Sequence, residues 1–102
     1  MRNLAIVLSL TYLAACSAPI TTDFHRALTN RNGFVLDVHN QSDRMLHCKV
    51  VTDDNVVSHE FLLDPYAEEH IGLLQIGRSF KSGQHGVIEV DGYTSHDFTA
   101  PQ

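Results

Sequence analysis

A chain of 102 residues with 12 Asp and Glu against 7 Lys and Arg carries a formal charge of −5 and has room for one small domain. That balance excludes recruitment to nucleic acid or to an anionic lipid surface by charge alone. Seven histidines are many for this length, and at mildly acidic pH they cancel much of the negative charge.

The chain starts with a short basic segment, Met1-Arg2-Asn3, followed by an apolar run over residues 4–15. A membrane-crossing helix needs about 20 apolar residues, so this run is too short to remain as a span and has the layout of a secretory leader. It closes with Leu13-Ala14-Ala15-Cys16, which resembles the lipobox of bacterial lipoproteins. The resemblance covers the first 16 residues. It implies a signal peptide over residues 1–15, cleavage between Ala15 and Cys16, and diacylglyceryl and palmitate-type acylation at Cys16. Two or more acyl chains anchor a protein stably where one does not. Ser17 stands where lipoproteins held at the inner membrane often carry aspartate, so the resemblance implies the outer membrane of the cell envelope, facing the periplasm. An ordinary leader ending at the same small residues would instead leave a soluble secreted product.

Cleavage at that point removes Arg2 and leaves 87 residues with 6 Lys and Arg against 12 Asp and Glu. Acylation of Cys16 leaves Cys48 without an intramolecular disulfide partner. Leu46 and Val50 flank Cys48 at two-residue spacing, which puts the thiol on an apolar strand face and predicts its burial. Residues 16–31 contain Pro19, several threonines and no clear period, and are expected to be a lipidated tether. Within it, Phe24, Ala27 and Leu28 fit one side of a short helical turn.

From residue 32 to residue 102 the period is two, the mark of a small β-rich domain. Phe34, Leu36 and Val38 alternate with Val35, Asp37 and His39, and Leu46, Cys48 and Val50 alternate with Met45, His47 and Lys49. Asn40-Gln41-Ser42-Asp43-Arg44 between them has turn chemistry, so the two strands are expected to form a hairpin with Val38 opposite Leu46 and Leu36 opposite Cys48. A third strand spans residues 56–63 and stops at Asp64-Pro65. Residues 66–70 fit one helical turn, and residues 71–76 read as a buried strand bounded by Gly77. Residues 87–91 and 93–98 are expected to pair through a tight turn at Asp91-Gly92. About six short strands with turns every 8–12 residues point to an all-β fold, a small antiparallel β-sandwich or a partly open barrel.

The expected hairpin register sets Asp37 opposite His47 with His39 as its diagonal neighbour. Two imidazoles and a carboxylate at that spacing are ligands for zinc or copper, with water in the fourth position; the competing reading is a solvated strand face. His25, His59, His70, His85 and His96 lack the close spacings of dedicated metal motifs. Apart from covalent lipid and, on the metal reading, zinc or copper, no cofactor is expected. No nucleophile elbow, helical metal motif or phosphate loop is present, and Ser95, His96 and Asp97 alternate faces on a strand, so no enzyme activity is expected. The expected function is that of a membrane-anchored envelope lipoprotein that binds another envelope protein as an accessory module, with an exposed sheet edge as its means. The alternatives are a divalent-metal-binding or pH-responsive periplasmic protein using Asp37, His39 and His47, and an enzyme inhibitor.

Overall fold

The computed structural model describes residues 16–28, 32–55 and 57–102. In chain order they form β1 (Ile20–Arg26), β2 (Gly33–Asn40), β3 (Leu46–Thr52), β4 (Ser58–Leu63) and β5 (Glu68–Ile71). A single helical turn, α1 (Leu73–Ile76), then leads into β6 (Phe80–Lys81), β7 (His85–Val90) and β8 (His96–Thr99). All sheet pairings are antiparallel: β2 lies between β1 and β5 and also pairs with β6, while the second sheet runs β4-β3-β7-β8. The two sheets pack as a sandwich around one core and do not close into a barrel. Among the described residues no helix is long and apolar enough to cross a membrane.

Alternation explains the faces. Phe34, Leu36 and Val38 of β2 and Leu46, Cys48 and Val50 of β3 are all at most 6 % exposed, and both rows belong to the same core. Ile71, Phe80, Ile88, Val90 and Phe98 complete it. Phe24 meets Phe34 and Phe80 edge-on at 6.4 and 6.0 Å, and its ring lies 5.9 Å from Phe98 in the opposite sheet. Edge-on aromatic pairs at such distances add about 0.5–1.5 kcal/mol each beyond the area they bury. Cys48 is buried as its neighbours predict, and loss of solvent pushes its thiol pKa up to about 11.

Several expectations are corrected. β2 and β3 do not pair as a hairpin: Leu36 lies between Phe24 and Ile71, and Cys48 between Phe61 and Val90. Their apolar rows face each other across the core instead of lying side by side. The cause is Asn40, fully buried at the end of β2. Its amide nitrogen donates to the carbonyls of Arg44, Leu63 and Asp64 at 2.7, 3.1 and 3.0 Å. Its side-chain oxygen accepts from the Ser42 N–H at 2.9 Å and the Ser42 hydroxyl at 2.7 Å. Segment 41–45 is thereby fixed as a crossing from one sheet to the other, stitched to the end of β4, rather than as a turn within one sheet.

The expected tether also contains a strand. Residues 20–26 pair along their whole length with β2, with Ile20, Thr22 and Phe24 turned inward and Asp23 and His25 outward. The readings of residues 66–70 and 71–76 are exchanged: the former end in β5, and the latter contain the helical turn α1. Ile71 is buried, but Leu73 and Leu74 are 50 % and 93 % exposed. Gly72 makes the change of direction; its N–H donates to Gln75 Oε1 at 2.9 Å, and a Cβ there would stand 3.1 Å from Val35 Cγ2. The turn at Asp91-Gly92 is present, with Gly92 at φ +87° and Tyr93 N–H bonded to Val90 carbonyl at 3.0 Å. Pairing of β7 with β8 nevertheless stops at Ile88 and His96, because Thr94 is bridged to Ser17 instead.

Candidate functional site

The outward face of the first sheet concentrates ionisable groups because three adjacent strands put them in register. Asp37, on the central strand β2, lies opposite Asp23 of β1 on one side and His70 of β5 on the other. His25 is two residues beyond Asp23 on the same face. Its Nδ1 donates to Asp37 Oδ2 at 2.8 Å, and His70 Nδ1 donates to Asp37 Oδ1 at 2.5 Å. The carboxylate therefore sits between two imidazoles, whose ring centres are 5.9 Å apart and nearly perpendicular. Asp37 is the fixed centre, with its side chain 14 % exposed against 51 % for His25 and 60 % for His70. The hydrogen bond to Asp37 holds the His70 pKa above its usual 6.5; partial burial opposes this, and the charges of Asp37, Glu68 and Glu69 reinforce it.

Of the residues expected to share a metal, only Asp37 is in this cluster. His39 shares its face, but the Gln41 amide donates to its Nδ1 at 2.7 Å and to Thr21 Oγ1 at 3.1 Å. His47 is on β3 in the other sheet, where its Nδ1 donates to Asp91 Oδ2 at 2.8 Å. That bond, together with the charge of Asp91, raises the His47 pKa. The Asp37, His39 and His47 set is thus not assembled, because its premise, a β2–β3 hairpin, is replaced by the crossing at Asn40. The two histidines that do meet Asp37 fell in a segment expected to be tether and in one expected to be helical. The alternation of Asp23 and His25 with Thr22 and Phe24 is the signal that places His25 on a strand face.

Beside this cluster, past the end of β1, lies an open groove of about 570 Å³. His25 and His70 form part of its wall, and Val35, Leu28, Leu73 and Leu74 are among the apolar residues that line it. Leu28 is 100 % exposed. At the other end of β1, the Cys16 carbonyl accepts from Thr94 N–H at 2.9 Å and from Thr94 Oγ1 at 3.2 Å, and Cys16 is exposed. The expected acylation point is therefore fastened to the folded body rather than carried on a linker. Ala15 and the rest of the expected leader lie outside the described residues. Other candidate groups are occupied: His96 Nε2 meets Thr22 Oγ1 across the sheets at 3.2 Å, and His59 stacks on Phe61 at 5.8 Å. Compared with known protein families, curated proteins and solved structures, the chain matches none of them.

Proposed function

We propose that this chain is a cell-envelope lipoprotein, held on the membrane by acyl chains on Cys16, that binds a partner protein through the apolar groove at the far end of β1. The groove is the observation that carries the reading. Leu28 and Leu74, 100 % and 93 % exposed, stand together with half-exposed Leu73 around one concavity. Water-exposed apolar side chains are ordinary singly, but their convergence in one concavity marks an interaction site. Burying these leucines under a partner contributes roughly 1.5–3 kcal/mol per side chain.

The anchor and the groove are well separated. Cys16 precedes β1 by four residues and Leu28 follows it by two, so the length of the strand, about 20 Å at 3.3 Å per residue, lies between them. Because Cys16 is bonded to Thr94, acyl chains there would seat the domain against the membrane while the groove stays clear of it. β1 is also an edge of its sheet, so a partner docked in the groove has an adjoining strand edge to pair with. The role is binding, not catalysis.

The test is a photo-crosslinking residue at position 74 in the full chain, expressed in intact cells. The expected result is one captured envelope protein, lost when Leu28→Asp is added. Capture of lipid alone, or the same products from a crosslinker at an exposed position on the opposite sheet such as Glu60, would overturn the reading.

A further inference from the structure

Beyond partner binding, and independent of the lipid anchor, we propose that His25, Asp37 and His70 form an open site for one imidazole-seeking divalent ion, zinc or copper, with three protein ligands and water completing the shell. The histidine nitrogens and an Asp37 carboxylate oxygen all lie within 4.8 Å of one another. Parallel side chains on a strand normally diverge too much to ligate one ion. Here convergence is supplied by register: the carboxylate is on the middle strand, and an imidazole leans onto each of its two oxygens from each neighbouring strand.

Tetrahedral arms of about 2.1 Å put ligand atoms about 3.4 Å apart. The two nitrogen–oxygen contacts, to different oxygens of the carboxylate, are 2.8 and 2.5 Å, and no pair of ligand atoms in the set is more than 4.8 Å apart, so shifts of roughly 1–1.5 Å bring all three to that spacing. The half-exposed imidazoles can make that movement around the more buried carboxylate. Now each Nδ1 holds a proton in its bond to Asp37; a metal ion takes that place. In a neutral ring the proton moves from Nδ1 to Nε2, and an imidazolium releases one proton to solvent. Glu68 and Glu69, immediately before His70 in sequence, and Asp23, opposite Asp37, add negative charge around the site. Two nitrogens and one oxygen favour zinc and copper over magnesium or calcium, which take all-oxygen shells.

The site is tested on the untagged full chain in detergent, stripped with chelator and then titrated with Zn²⁺, Cu²⁺ and Mg²⁺, with bound metal counted by elemental mass spectrometry. One equivalent of Zn²⁺ or Cu²⁺ is expected, with Cu²⁺ the tighter, and no Mg²⁺. His25→Gln and His70→Gln should each weaken binding at least about 10-fold, a loss that even outer-shell partners of a metal can cause. The double variant should abolish binding, and His39→Gln and His47→Gln should leave it unchanged. Both ring positions are half-exposed, and far-UV circular dichroism verifies that the variants fold. On the unaltered chain, Cu²⁺ electron paramagnetic resonance should show two equatorial imidazole nitrogens, reduced to one by His70→Gln. Absence of stoichiometric Zn²⁺ and Cu²⁺, retention in the double variant, or a copper spectrum without nitrogen coupling would overturn the proposal.

Discussion

Replacing Asn40 with alanine is the sharpest perturbation of the fold, because its buried side chain ties the segment that crosses between sheets to the end of β4. The substitution removes the donor to three carbonyls and the acceptor for the Ser42 N–H. The Leu63 carbonyl is in a buried bond, and stranding a buried polar group costs about 1–3 kcal/mol. The bonds to Arg44, Asp64 and Ser42 are part-buried; water can replace them in part, so they contribute about 0.5 kcal/mol each. The total is roughly 3 kcal/mol, a large fraction of the 5–15 kcal/mol that typical domains possess. Urea unfolding followed by far-UV circular dichroism measures it: with a slope of about 1 kcal/mol per molar, the midpoint should fall by about 3 M. Were residues 41–45 an exposed hairpin turn, the same substitution would change stability by no more than about 0.5 kcal/mol. A loss that small would refute the crossing.

Three further outcomes follow from local geometry. Gly86→Ala should lower the thermal midpoint through about 1–3 kcal/mol of overpacking, because the new Cβ would meet Phe98 Cζ at 2.5 Å and the Val51 carbonyl at 2.7 Å; an unchanged midpoint argues against Phe98 lying over β7. His47 should titrate by nuclear magnetic resonance above the usual 6.5 and return toward it in Asp91→Asn, since its bond to Asp91 favours the charged ring. The sign of the linkage follows: the pair stabilises the fold fully below pH 6.5, and that contribution disappears as pH rises through the raised native pKa. Cys48, buried with its pKa pushed up to about 11, should resist a disulfide reagent at pH 8 in the native protein and react on addition of denaturant; rapid native labelling would place it elsewhere than in the core.

What the sequence makes legible is the identity of faces. Alternation in residues 34–38 and 46–50 correctly separates inward from outward side chains, and it places Cys48 in the core. It carries no information about neighbours. Two strands with the same period can lie side by side in one sheet or face to face across two, and what holds the second arrangement includes the long-range hydrogen bonds of one buried asparagine that looks like an ordinary turn residue. β1 is not legible in the sequence because its inward side chains include two-faced Thr22, and because Pro19 and the threonines suggest irregular chain. Leu73 and Leu74 read as a buried strand, since apolar residues are expected inside; the structure puts them instead on an exposed helical turn that lines the groove. The ionic cluster is half legible: Asp37 stands out on its strand face, but its partners are 12 and 33 residues away in sequence and meet it only once both flanking strands are in place.

The placement of Asp37 between His25 and His70 is tested most directly by ¹⁵N resonances of the seven histidine rings in the metal-free chain, with and without Asp37→Asn. The His70 titration should start above 6.5 and fall in the variant, and the His25 ring signals should shift with it, while His39 and His47 keep their native positions. If His47 moves with the substitution while His25 and His70 stay unchanged, β2 and β3 are neighbours after all and the cluster does not exist.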